Sequence, residues 1–228
     1  MSQQESPVIY GTEDILRSLC NSVTKVLTFA TQSQIHYSGM VQRITKTCLK
    51  PDIGCFVLFD GGFSGLVVTN FSAAAAMELY ESYMLSMGMA KGDLAGSHTS
   101  DDVANVLGEL MNQVVGDFTG KVARELQTHI TQNQPKMLAL TKQVMLSVDT
   151  NLDKPEARRV TFFTGRNNIF YLELAIDRTE FIKLNDFESE ELDPDVLIDQ
   201  AHAASAAAVS EKGADASEQD DFLKSLGM

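Results

Sequence analysis

Apolar residues recur along this chain with two different spacings, and the changes of spacing mark out its elements. Ile15, Leu16, Leu19, Val23, Val26 and Leu27 fall on one face of a 3.6-residue period, which predicts an amphipathic helix capped by Thr12. Residues 34–47 alternate more loosely through Ile35, Tyr37, Met40, Val41 and Ile44, as a strand does. Cys55-Phe-Val-Leu-Phe-Asp-Gly-Gly-Phe-Ser-Gly-Leu-Val-Val-Thr69 sets two apolar runs about a glycine turn and predicts a β-hairpin. Asn70 or Ser72 then caps a helix over 73–87 that stops near Gly88, with Met77, Met84, Met87 and Met89 read as core filler.

The longest helical pattern follows. Ser100 or Asp101 opens it, acids occupy its first turn, and Val103, Val106, Leu107, Leu110, Met111, Val114, Val115 and Phe118 form its apolar stripe. Glu109 and Asn112 lie off that stripe, one turn apart on the same side, so the pattern predicts that both are exposed. Pro135 breaks the continuation after Leu126, and 145–149 is the most strand-like part of a mixed segment. Arg159-Val-Thr-Phe-Phe-Thr164 and Ile169-Phe-Tyr-Leu-Glu-Leu-Ala-Ile176, about Gly165-Arg-Asn-Asn168, predict a second hairpin, with Arg158 and Arg159 read as a strand-edge pair. The order helix, strand, hairpin, helix, helix, hairpin argues for an α+β fold: an antiparallel sheet with long helices packed on one face.

Charge divides the chain differently. The net charge is −13, but residues 186–228 hold 12 acids and 2 lysines, leaving a nearly neutral domain before them. This balance disfavours nucleic-acid binding through a basic patch, and no apolar run reaches the length of a membrane span. A polar start without a secretory signal, and three cysteines (Cys20, Cys48, Cys55) without CxxC spacing, predict a reduced, cytoplasmic protein. His36, His98, His129 and His202 have no ligand spacing, so no metal or cofactor of its own is expected. Asp60-Gly-Gly-Phe-Ser-Gly65 leads into a strand and lacks a following Lys-Ser/Thr; it reads as a turn, not a phosphate loop.

The composition suggests four parts: a polar segment 1–10, a folded domain 11–185, an acidic Ala-rich linker 186–216 and a terminal amphipathic helix 217–228. In the last, Ser217 and Asp220 have capping-box spacing, and Phe222, Leu223 and Leu226 share one face before Gly227.

Val106-Leu-Gly-Glu-Leu-Met-Asn-Gln-Val-Val-Gly116 resembles the signature helix of the CheC/CheX/FliY chemotaxis phosphatases, with Asp102, Gly108, Glu109, Asn112 and Gly116 at the matching places. Gly65-Leu-Val-Val-Thr-Asn-Phe-Ser-Ala-Ala-Ala-Ala-Met77 is similar to the strand-to-helix passage of that family, and the resemblance covers roughly 10–178. A single Glu-x-x-Asn helix resembles the one-site CheX arrangement. Separately, Asp220-Asp-Phe-Leu-Lys-Ser-Leu-Gly-Met228 is similar to the C-terminal peptide with which CheZ tethers the response regulator CheY.

The resemblance implies a phosphatase acting on the aspartyl phosphate of a CheY-like receiver domain. Asn112 and Glu109 would be its catalytic residues, and Asp220, Asp221, Phe222, Leu223 and Leu226 would hold the partner. Mg²⁺ is expected in the receiver, not in this chain, and a homodimer is compatible with the family. The alternative is a receiver-binding adaptor, or a flagellar-switch-like interaction protein, that performs no chemistry. The chain departs from the family in the long polar stretch 127–158, in Gln113, and in its acidic tail.

Overall fold

The computed structural model describes residues 9–183, so the tail residues Asp220, Asp221, Phe222, Leu223 and Leu226 lie outside the described residues. Among the described residues there are three α-helices: α1 (Thr12–Thr31), α2 (Ala73–Ser86) and α3 (Asp101–Glu125). The strands of the main sheet are β2 (His36–Ile44), β4 (Ile53–Gly61), β5 (Gly65–Phe71), β6 (Ile130–Gln132), β7 (Lys136–Ala139), β9 (Pro155–Phe163) and β10 (Ile169–Asp177). They run antiparallel in the order β2-β9-β10-β5-β4-β6, with β7 also on β4. Two small pairs account for the other described strands: β1 (Ile9–Tyr10) with β11 (Phe181–Ile182), and β3 (Thr47–Leu49) with β8 (Leu146–Val148). The expected α+β arrangement is the one observed.

The apolar stripes meet where the patterns placed them. Leu16, Leu19 and Val23 of α1, Leu79 of α2 and Leu107, Leu110, Val114 and Phe118 of α3 close over Val57, Val67, Phe162 and Leu172 of the sheet. Removing one such side chain to alanine typically costs about 2–5 kcal/mol, because a cavity is added to the lost transfer energy. Strand β5 is buried at every residue, since its other face is covered too. There Leu66 and Val68 meet Leu49 of β3, with Val148 and Leu152 against them. That cover explains why Gly65-Leu-Val-Val reads as a continuous apolar run instead of an alternating one.

Three local expectations are corrected. The cap of α1 is Gly11, whose N–H donates to Asp14 Oδ2 at 3.1 Å, and Thr12 is already helical. Ser72 and Ser100 do cap α2 and α3, accepting from Ala75 N and Val103 N. Met87 and Met89 are exposed, because α2 ends at Ser86 and they fall beyond its buried face. Arg158 and Arg159 lie on β9, an interior strand between β2 and β10. Arg158 reaches Glu13 at 2.9 Å and Glu156 at 3.0 Å, while Arg159 reaches the wholly buried Glu173 at 2.7 Å. A guanidinium can be buried only with such partners.

The segment after α3 positions the site. Gln127, at φ 50°, turns the chain, and β6 runs back antiparallel beside the tip of β4. Gly61 (φ 151°) and Gly62 allow this approach: a Cβ at either would collide with the His129 carbonyl or the Thr128 hydroxyl. Beyond β6 the ladder on β4 is interrupted at 133–135, where Asn133 continues it in two ways. Its N–H donates to Leu58 O at 3.0 Å and its Oδ1 accepts from Leu58 N at 2.9 Å. After Pro135 the strand resumes as β7, pairing with Ile53–Phe56 of β4.

Candidate functional site

Helix α3 presents a polar face at this interruption. Glu109 and Asn112 are both exposed, as their place off the apolar stripe required, while Leu110 and Met111 between them are buried. Together with Asn105, Gly108, Phe56 and the 134–138 segment they line an open groove of about 710 Å³. Gly108 lies at its base, and a Cβ there would come within 3.4 Å of Met137 Cγ. Gly116, one turn beyond Asn112, is exposed with nothing within 4 Å of a Cβ, so no contact within the described chain requires a glycine there.

Both marked side chains are held by a glutamine. Gln113 Nε2 donates to Glu109 Oε1 at 3.0 Å, an i, i+4 pair along the helix. Gln132 Nε2, arriving from β6, lies 3.2 Å from Asn112 Oδ1 and 3.5 Å from the Asn112 carbonyl oxygen. The sense of these contacts follows from donor chemistry. A backbone carbonyl can only accept, which favours the NH₂ group as the Gln132 atom facing it. That group can only donate, so the Asn112 atom it also meets must be the oxygen. The Asn112 NH₂ is therefore the outward end of the amide. The Gln132 oxygen in turn lies 3.2 Å from the hydroxyl of buried Thr119, whose single proton also has Val115 O at 2.9 Å and Gly116 O at 3.3 Å within reach.

In the sequence Gln113 stands out only as a departure from the family pattern, and Gln132 carries no signal at all. Its helical partner is twenty residues away in sequence, and only the return of β6 brings it alongside. The long polar stretch 127–158 that departs from the family pattern supplies Gln132 and one wall of the groove, including exposed Lys136.

The other polar clusters are framework. Asp117 of α3 meets Lys25 of α1 at 2.9 Å and Lys121 at 2.6 Å. Burial opposes its ionisation, but hydrogen bonds from Lys121, Ser22 and Lys25 overcome that and hold its pKa down at about 2. Burial pushes the Cys20 and Cys55 thiols up to about 12, which makes them inert apolar fillers. Among the described residues no group of three or more His, Cys, Asp or Glu could hold a metal ion. No helix among them is long and apolar enough to cross a membrane.

A family model described as "Protein of unknown function (DUF3334)" matches residues 6–228. The sequence matches no curated protein. Solved structures of the same fold include the chemotaxis protein CheX from Desulfovibrio desulfuricans, at 16% identity and a TM-score of 0.59 over 72% of this chain and 99% of that one. A CheC-like superfamily protein from Shewanella sp. PV-4 aligns at 15% identity and a TM-score of 0.58, over 72% of this chain and 97% of the other. A complex of CheX with CheY, BeF₃ and Mg²⁺ from Borrelia burgdorferi aligns at 15% identity and a TM-score of 0.54, over 72% and 99%. At these identities the likeness establishes the fold.

Proposed function

This chain belongs to the DUF3334 family and is built on the fold of the CheX and CheC-like chemotaxis proteins; from that premise we propose that it hydrolyses the aspartyl phosphate of a CheY-like receiver domain. The observation that carries this reading is the exposed Glu109–Asn112 pair, with the NH₂ of Asn112 turned outward over an open groove. The B. burgdorferi complex supports the choice of partner, since there a CheX is bound to CheY with BeF₃ and Mg²⁺.

An acyl phosphate already has a good leaving group, the aspartate carboxylate. Catalysis therefore needs a water in line with the P–O bond and donors for the equatorial oxygens, which is work of positioning and electrostatics. Gln132 occupies one acceptor direction of Asn112 Oδ1. The second can accept a proton of the attacking water, turning an oxygen lone pair toward phosphorus, while Nδ2 donates to a phosphoryl oxygen. A P–O bond forms to water, the bond to the aspartyl oxygen breaks, and both protons of the water leave with the product as dihydrogen phosphate. The receiver supplies the Mg²⁺ that neutralises phosphoryl charge. Glu109, with Oε1 held by Gln113, offers Oε2 to the receiver's lysine and fixes the helix on its partner.

The terminal segment 217–228 acts as a tether. Were the acidic, Ala-rich stretch 186–216 to behave as the linker its composition suggests, about 30 residues would give a root-mean-square reach of roughly 30 Å and effective concentrations approaching the millimolar range. Deleting residues 217–228 should raise the half-saturating receiver concentration and leave the maximal rate nearly unchanged; a lowered maximal rate alone contradicts a tether. The activity is tested by mixing the protein with an acyl-phosphorylated receiver and following phosphate release. Acceleration over the receiver's own decay is expected. Binding without acceleration would make the chain an adaptor instead.

A further inference from the structure

We infer that Gln132 is a positioning residue of the site: it fixes the sense of the Asn112 amide, so that the NH₂ end and one acceptor direction of Oδ1 face the partner. The kinetic part of this inference rests on the phosphatase reading above; the structural part stands without it.

Asn112 is exposed, and a free asparagine on a helix surface samples its rotamers and both amide senses. Half of those orientations would place NH₂ where the attacking water needs an acceptor. The contacts at Asn112 remove that freedom from one side. Gln132 Nε2 meets both the backbone and side-chain oxygens of Asn112, at 3.5 and 3.2 Å, so a flipped asparagine would oppose NH₂ to NH₂. A flip of Gln132 is opposed at the backbone, where its oxygen would face the Asn112 carbonyl oxygen; in the unflipped sense the single proton of the Thr119 hydroxyl can go to Gln132 Oε1 at 3.2 Å, since the Val115 carbonyl already accepts its helical N–H. Thr119 is buried on α3, so the relay Thr119–Gln132–Asn112 starts from a fixed point in the core.

The chain geometry makes the placement possible. On the order of 20 Å separate Asn112 from the end of α3 at 1.5 Å per residue. Strand backbone, rising about 3.3 Å per residue, recovers that distance in about six residues. Gln132, third residue of β6 and register partner of Phe59 on β4, stands there. Its backbone is held by the sheet, so the side chain that reaches Asn112 is presented by a rigid element instead of a loop.

The test pairs two readouts on the full chain. Gln132→Glu keeps the shape and removes the donor; Gln132→Ala removes both. Each should lower the maximal rate of receiver dephosphorylation by roughly tenfold to hundredfold, the scale of a misplaced catalytic group. The half-saturating receiver concentration should stay within about twofold, since Glu109 and the tail are untouched. In an Asn112→Ala background neither substitution should lower the rate further. Equal losses in both backgrounds, or no loss in the wild-type background, would overturn the inference. The second readout does not need activity. The Asn112 side-chain NH₂ resonances, assigned by their disappearance in Asn112→Ala, should shift and broaden in Gln132→Glu while the backbone amides of α3 stay in place. Unchanged side-chain resonances would overturn the inference even if the protein proves to have no phosphatase activity. A protein that lacks activity but shows the shift refutes the proposed function and keeps the positioning role.

Discussion

Glu78 on α2 and Asn112 on α3 are both polar side chains held by groups from the sheet, and they end in opposite conditions. Glu78 is 3% exposed, and each of its oxygens is occupied: Oε1 accepts from Arg166 N at 2.9 Å, and Oε2 from the Thr164 hydroxyl and from Asn168 Nδ2 at 2.8 Å. It binds the β9–β10 turn to α2 and offers nothing outward. Asn112 is exposed, held only at Oδ1, and keeps its NH₂ free of any protein partner among the described residues. A framework polar group is satisfied inside the protein; a group meant for a partner is held by one end and open at the other. The same neighbourly hydrogen bond is structural in the first case and preparatory in the second.

The comparison is broken most easily at Glu78. Glu78→Ala leaves two side-chain donors and one backbone N–H without their acceptor in a turn where Thr164 is buried but 165–167 are exposed, and should cost roughly 2–3 kcal/mol in a urea titration. Turnover per folded molecule should be unchanged. A loss of turnover without a loss of stability would place Glu78 among the functional groups and end the contrast.

Asp117 gives the next largest effect. Its carboxyl titrates near 3.8 in the unfolded chain and at about 2 in the folded one, so its stabilisation is fully present above about pH 4. It is lost as the pH falls through 2, because the unfolded state then binds the proton first. After allowance for screening of a partly exposed network, about 1–2 kcal/mol should disappear across that window. Unfolding of Asp117→Asn followed over the same range should show a correspondingly shallower loss. An identical acid profile for the two proteins would remove Asp117 from the bond between α1 and α3.

Gly116 is expected to show the smallest effect and the most informative sign. With open space at its Cβ position, Gly116→Ala should raise stability by about 0.5–1 kcal/mol through helix propensity alone. If the glycine is there for the receiver's close approach, the same substitution should raise the half-saturating receiver concentration. A stabilised protein with unaltered receiver affinity would assign Gly116 no role at the interface.

Much of this contrast was legible in the chain. The stripe of α3 is long and regular, so its complement, the exposed face with Glu109 and Asn112, could be read with it. The two hairpins were equally plain, since each pairs β-rich runs that are neighbours in sequence. What could not be read was non-local and short. Strands β6 and β7 are three and four residues long, are separated by Pro135, and exist only because β4 offers an edge. No local propensity announces Gln132. Arg158 and Arg159 were misread for the same reason: two arginines in a strand suggest an edge until Glu13, Glu156 and Glu173 arrive from elsewhere to neutralise them. Met87 and Met89 failed differently, because a methionine just past a helix end no longer follows the helix's buried face.

The central claim is that the open end of Asn112 performs the chemistry. It is tested most directly by the single-turnover rate of phosphate loss from a saturating acyl-phosphorylated receiver, comparing wild type with Asn112→Ala. The wild-type chain should accelerate the loss. The variant should be about a hundredfold slower or more, the scale of removing one aligned donor, with an unchanged melting temperature and an affinity for a beryllofluoride-bound receiver that falls far less than the rate. Dephosphorylation by Asn112→Ala as fast as by the wild type would contradict the account.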